Sequence, residues 1–190
     1  MNGFRPSIRL ARPADIGKLA AVERSAASAF RSVGLAWLAD SDGTMDPALL
    51  ESLCRAATLW VAVDERDEPT GFLAAHELDG HFYIAEVSVA ASHHRQGIGS
   101  RLVEAAMEHG RRLTFDAVTL TTYRDVPWNG PFYARFGFVE VDADAAGPGH
   151  RETLRRDAEY GHDPARRCIM ALRLDQPARS SRIAESRSNR

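Results

Sequence analysis

Apolar and polar positions recur with two different periods along this chain, and the places where the period changes mark its elements. Ile8 to Leu10 is a short apolar run that reads as a first strand. Asp15 then caps a helix reaching about Phe30, with Ile16, Leu19, Ala20 and Val22 as its apolar positions. Ser41-Asp42-Gly43 breaks the chain. Asp46-Pro47 supplies an N-cap followed by proline at the first helical position, opening a second helix over Ala48 to Ala57. Leu59 to Val63, Phe72 to Ala75 and Phe82 to Val89 are strand-like runs, separated by the turn-like Asp64 to Thr70 and by Asp79-Gly80. They predict an antiparallel meander. Gly97 to Arg112 returns to helical spacing, with Ile98, Leu102, Val103, Ala106 and Met107 between charged residues.

Ala117 to Thr122, rich in β-branched residues, is the next strand; Pro131 to Phe136 is a short helix stopped at Gly137, and Phe138 to Val141 resumes as strand. A polar, glycine-bearing insert, Asp142 to Arg167, with helix over Glu152 to Tyr160, separates it from a final strand, Cys168 to Leu174. The order predicts one mixed α/β sheet, mostly antiparallel, flanked by helices: a single domain over residues 1–175. The tail 176–190, rich in serine and arginine, reads as disordered and basic.

Composition narrows the function. Net charge is −2 and falls to −5 without the tail, whose four arginines face one glutamate. An acidic body argues against nucleic acid and suits a cationic substrate such as an amine. The chain has no apolar run of membrane-spanning length and no secretory leader, so a cytoplasmic protein with no membrane partner is expected, monomeric or homodimeric. Cys54 and Cys168 sit far apart in apolar segments and read as core thiols. His93 and His94 are adjacent, with no further ligand at metal spacing, so no metal is expected.

The stretch with most chemical content is Val87-Ser88-Val89, a linker, then Gln96-Gly97-Ile98-Gly99-Ser100 opening a helix. Glycines at such a junction let amides approach a ligand, and the helix N-terminus adds about half a positive charge, so the loop is a candidate diphosphate seat. By itself G-x-G describes equally well a helix start with nothing bound. A dinucleotide fold would place a third glycine where Leu102 stands, although Asp116 supplies the acidic position; a P-loop needs a lysine, and the only one is Lys18.

Glu86-Val87-Ser88-Val89, then His93 to Ser100, then Trp128-Asn129-Gly130-Pro131-Phe132-Tyr133-Ala134-Arg135-Phe136-Gly137-Phe138, resembles the GNAT superfamily of acyl-CoA-dependent N-acetyltransferases. The resemblance covers the element order from Ile8 to Leu174 and is specific over Ile84 to Phe138. It implies acetyl-CoA as acyl donor, pantetheine along Val87, Ser88 and Val89, and the diphosphate held by Arg95, Gln96, Gly97, Ile98, Gly99 and Ser100. His94 stands where the family usually has Arg or Gln, and Arg95 where glycine is common. Tyr133 matches the tyrosine that protonates the leaving thiolate, and Asn129 resembles an asparagine that contacts CoA.

Acyl transfer to an amine needs a neutral amine, an oxyanion donor and a proton for sulfur. Glu86, which strict alternation places on the face of Ile84 and Ser88, is the expected base, with His76 and Glu77 as second choices. A backbone amide within Val87 to Val89 is the expected oxyanion donor. Trp37 and Trp128 are candidate pocket walls and Trp60 a core residue. Asp40, Asp42 and Asp46 either attract a cation or cap and solvate their loop. These residues point to a small-molecule amine as acceptor, with a protein N-terminus or lysine, or a non-catalytic acyl-CoA sensor, as alternatives.

Overall fold

The computed structural model describes residues 6–175; the expected tail, 176–190, lies outside them. Seven strands form one sheet: β1 (Ser7–Leu10), β2 (Leu59–Val63), β3 (Pro69–Leu78), β4 (His81–Val89), β5 (Ala117–Tyr123), β6 (Val139–Val141) and β7 (Arg167–Arg173). Their spatial order is β1-β2-β3-β4-β5-β7-β6, and every described pairing is antiparallel except β4 with β5. The helices are α1 (Pro13–Ala27), α2 (Ala36–Ala39), α3 (Pro47–Arg55), α4 (Ile98–Arg112), α5 (Gly130–Ala134), α6 (Ala143–Ala146) and α7 (Pro148–Tyr160).

Each face of the sheet buries a different set of helices. The apolar stripe of α4, Ile98, Leu102, Val103, Ala106 and Met107, packs with Trp60, Leu73, Ala75, Phe82, Ile84, Val118 and Leu120. Ile16, Leu19 and Val22 of α1 and Leu50 and Leu53 of α3 pack on Leu59, Val61, Phe72 and Ala74 of the opposite face. All five residues of β2 are buried, which is why that strand reads as a continuous apolar run rather than an alternating one.

Several boundaries differ from the sequence expectation. Asp15 is not the cap of α1: it sits three residues inside, where its carboxylate accepts from the Arg12 amide (2.7 Å) and pairs with Arg9 (2.7 Å). Helical backbone beyond Ala27 continues as a tighter 3₁₀ stretch, Ser28–Val33, and the loop that follows contains α2. The second helix begins as expected, with Asp46 accepting from the Ala48 amide (2.9 Å). β3 is ten residues long because its polar ends, Pro69 to Gly71 and His76 to Leu78, also pair. The insert carries α6 and a helix, α7, that starts four residues before Glu152.

Strand β4 contains the most consequential irregularity. Ala75 pairs with Ile84 and Ala74 with Glu86, leaving Ala85 as an extra residue, a β-bulge. Beyond it the alternation inverts. β4 and β5 also pair only over Phe82–Ile84 and Val118–Leu120, although both strands continue, so they part and leave a cleft between their C-terminal halves.

The start of α7 is fixed to the sheet from within. Asp79 accepts from the amides of Gly149 (3.0 Å) and His150 (2.9 Å) and from His150 Nδ1 (2.8 Å), while the Thr119 hydroxyl donates to Nε2 of the same ring (2.8 Å). His150 is fully buried. His150→Ala empties a fully buried site, removes the ring's bond to Asp79 and strands the Thr119 hydroxyl, and is expected to lower unfolding stability by about 3 kcal/mol in urea denaturation.

Candidate active site

Three elements meet at the cleft. The end of β4 brings Glu86 to Val89, the loop after it brings residues 90–97, and α5 enters from the β5 side with Asn129 and Tyr133. A side chain built on Gly99 would touch Phe132 Cζ at 3.6 Å and Val89 Cγ2 at 3.9 Å, which places the start of α4 directly against α5 and the strand end.

The glycine loop has the geometry of an anion seat. Gly97, at φ +76°, is the residue before α4, a left-handed conformation that explains glycine there. Arg95 is also left-handed, at φ +60°, where the family's more common glycine would be unstrained. The first intrahelical bond of α4 runs from the Arg101 amide to Gly97 carbonyl (3.2 Å), and the amides of residues 95–100 donate to no described acceptor. Gln96 and Gly97 are exposed, whereas the Ile98 side chain is buried beneath them. The Arg95 guanidinium is exposed and has no ion-pair partner among the described residues. His94 behaves differently: its Nε2 lies 2.8 Å from the Val89 carbonyl, so the ring ties the loop to the strand end.

Beyond Ile84 the β5-facing edge of β4, which includes Val87, Ser88 and Val89, has no strand partner among the described residues. Open amides and an open edge are what the diphosphate and pantetheine of an acyl-CoA require. Asn129 adds an orphan: its Nδ2 donates to Thr122 Oγ1 (2.8 Å), while Oδ1 is buried with no partner among the described residues. Its neighbour Gly130 approaches the Arg124 carbonyl so closely that a Cβ would lie 2.7 Å from it, which explains why glycine opens this helix.

Glu86 is half-buried, and its Oε1 accepts from Ser88 Oγ (2.7 Å). The bulge corrects its expected placement: Glu86 shares a face with Ser88 but lies on the side opposite Ile84, toward α1. Burial raises its carboxyl above the usual range, opposed by Ser88, the Arg167 charge and the Val87 amide. Tyr133 is buried against Phe132 and Phe138, its hydroxyl has no hydrogen-bond partner among the described residues, and burial followed by the Glu86 charge raises its pKa.

Of the second-choice bases, His76 is half-buried beside Tyr83, with an unpartnered Nδ1 and a pKa lowered by burial. Glu77 is exposed and pairs across from Phe82, away from the cleft. Asp40 pairs with Arg31, Asp46 caps α3, and Asp42 is exposed in the loop. Trp60 is core; Trp128 packs on Phe30, and Trp37 lies edge-on to His162 (5.0 Å).

Sequence reasoning missed two groups. Glu23, on α1, is half-buried, accepts from the Met45 amide (3.0 Å), and is pushed up to about 7 by burial and then by the Glu86 charge. The signal was its register: with Ile16, Leu19 and Ala20 it completes a core-facing stripe. The second group is Tyr160 and His162 of the insert, whose partners Ser41, Trp37 and Tyr123 are distant in the chain and carry no local sequence signature.

Comparison with known proteins agrees with this geometry. The model of the acetyltransferase (GNAT) family matches residues 25–138, more than half of the chain. Ard1 from Thermoplasma volcanium superposes with a TM-score of 0.65 at 18% identity, over 91% of this chain and 100% of that one. The PaiA N-acetyltransferase from Thermoplasma acidophilum, crystallised with coenzyme A, gives 0.64 at 14%, over 90% and 99%. The ribosomal-protein-S18-alanine N-acetyltransferase from Escherichia coli gives 0.63 at 13%, over 92% and 97%. Among the described residues no helix is long and apolar enough to cross a membrane. The parted β4 and β5, the glycine loop opening α4 and the match over residues 25–138 place the chain in the GNAT family, as an N-acetyltransferase with acetyl-CoA as its acyl donor.

Proposed function

We propose that this enzyme acetylates a small-molecule amine by direct attack in a ternary complex, with Glu86 as base and Tyr133 as acid. The observation that carries the choice of a small acceptor is the strap over the acceptor side of the cleft. Ser41 Oγ and Tyr160 OH are 2.8 Å apart, Trp37 lies 5.9 Å from Tyr160 and edge-on to His162, and the Tyr123 hydroxyl hydrogen-bonds with His162 Nδ1 (2.6 Å). Phe30 packs on both Tyr123 and Trp128. The segment after α1 is thereby joined to the insert before β7, a closure that suits a small acceptor better than a peptide.

Glu86 removes one proton from the entering ammonium, directly or through a water, leaving a nitrogen lone pair. The C–N bond forms at the thioester carbonyl, whose developing oxyanion takes a hydrogen bond from an amide in Val87 to Val89. Cleavage of the C–S bond leaves the electron pair on sulfur. Tyr133 donates its proton there and is restored by the second proton lost from nitrogen. The amides of residues 95–100, with His94 holding their loop to Val89, seat the diphosphate, and Asn129 Oδ1 faces the donor. Arg95, exposed beside those amides, contributes charge to the same phosphates.

The test is a thiol-release assay with acetyl-CoA, comparing small primary amines with peptides bearing free N-termini or lysines. Small amines are expected to exceed peptides by at least about tenfold in kcat/KM, a difference of ~1.4 kcal/mol at the transition state. Peptides reacting faster than every small amine would show that the strap opens and that the acceptor is protein.

A further inference from the structure

We propose that Glu23 is a second carboxylate of the acceptor site, a specificity-determining residue that works with Glu86 to select amines arriving as ammonium ions. The inference rests on the amine-acetyltransferase reading above and narrows its acceptors to alkylamines over arylamines.

The argument begins with position. α1 crosses β4 on the face to which the Ala85 bulge turns Glu86, so the bulge is what brings the two carboxyls to one side. Both carboxyls are engaged by neutral donors only: Glu23 Oε2 by the Met45 amide, and Glu86 by the Ser88 hydroxyl and the Val87 amide. Among the described residues neither has a cation within ion-pairing distance. Two half-buried carboxylates without a cation are costly when both are ionised, and an entering ammonium relieves that cost. The surrounding groups do not supply the missing charge. Arg24 is exposed and acts weakly on Glu23; Arg167, which acts on Glu86, is engaged by Asp157 (2.7 Å). Tyr83 and Tyr133 have raised pKa values and His76 a lowered one, so all three are neutral at pH 7.

The proton balance follows. Near neutrality Glu23 is partly protonated because it loses its proton beside an ionised Glu86, at about 7. An alkylammonium, with a pKa of ~10.4 as in lysine, enters charged; Glu23 releases its proton to solvent and Glu86 keeps its role as base. An arylamine enters neutral and gains nothing from the second carboxylate. The Met45 bond ties the same group to the loop before α3, so the carboxyl is held in place.

Benzylamine and aniline are the probes, assayed by thiol release with wild type, Glu23→Gln and Glu23→Asp. Glutamine keeps an acceptor for the Met45 amide and loses only the charge. Glu23→Gln is expected to raise KM for benzylamine by roughly tenfold more than for aniline, and to abolish the fall of benzylamine KM as pH rises through about 7. Glu23→Asp retains the preference. Equal losses for both amines, or a loss in kcat alone, would overturn the proposal. Should wild type acetylate neither probe, the acceptor assignment above fails, and ¹³C NMR of labelled glutamate carboxyls still decides this one. Benzylammonium must shift the Glu23 carboxyl, and Glu86→Gln must lower its pKa; a carboxyl that responds to neither is a structural one.

Discussion

Tyr133→Phe is expected to lower kcat by about 10²-fold while leaving the fold and the KM for acetyl-CoA unchanged. A general acid contributes ~10²- to 10⁴-fold, and the lower end fits here because water entering the cleft substitutes in part. The fold is spared for a specific reason: the hydroxyl makes no hydrogen bond among the described residues, so the substitution strands no partner. The ring keeps its contacts with Phe132 and Phe138. Burial and the Glu86 charge raise the hydroxyl's pKa, so it remains protonated through the alkaline range and gives the pH–rate profile no descending limb near neutrality. Single-turnover thiol release separates this outcome from its rivals. A melting point lowered by several degrees with kcat unchanged would make Tyr133 a packing residue, and a protein with no turnover to lose would be an acyl-CoA sensor.

The fold was legible because its signals are local. Helical spacing placed α4, the Asp46-Pro47 pair placed the start of α3, and the turn residues at Asp79-Gly80 placed the β3–β4 hairpin. The geometry of the glycine loop was legible for the same reason, since a left-handed residue before α4 calls for glycine at Gly97. What failed locally was the choice of cap on α1, where Arg12 precedes Pro13 and Asp15 acts from the third helical position.

The acceptor half was less legible because it depends on pairing at a distance. Strict alternation put Glu86 with Ile84; the bulge at Ala85 inverts that, and nothing in Ile84-Ala85-Glu86 announces an extra residue. The register of Glu23 puts it on the core-facing stripe of α1, but its approach to Glu86 appears only when α1 is laid across β4. The strap requires Ser41 and Tyr160 to meet although they are 119 positions apart, a contact set by the anchoring of α7 at Asp79, His150 and Thr119. The features on which the proposed acceptor choice rests are therefore long-range contacts, while those of the glycine loop are local.

Glu86→Gln carries the other large effect: kcat/KM at pH 7 is expected to fall by about 10³-fold, through kcat more than through the KM for acetyl-CoA. In wild type the rate rises with pH as the carboxyl ionises, and because burial raises its pKa that rise lies above the usual glutamate range. Glutamine removes this limb and leaves a low, flat profile. The stability change has the opposite sign to a simple loss of fold. A carboxyl whose pKa is raised on folding favours the folded state below its unfolded pKa, and that contribution is lost as pH rises through the folded value. Above that folded value the ionised Glu86 therefore costs stability, and there the glutamine variant should melt at or above the wild-type temperature. A thermal scan at pH 5 and pH 8 beside the pH–rate profile reads both. Lost activity with retained or raised stability, the gain larger at pH 8, identifies a catalytic carboxylate maintained at the expense of the fold. A variant that melts lower at both pH values would make the carboxylate a structural partner of Ser88 and the Val87 amide instead.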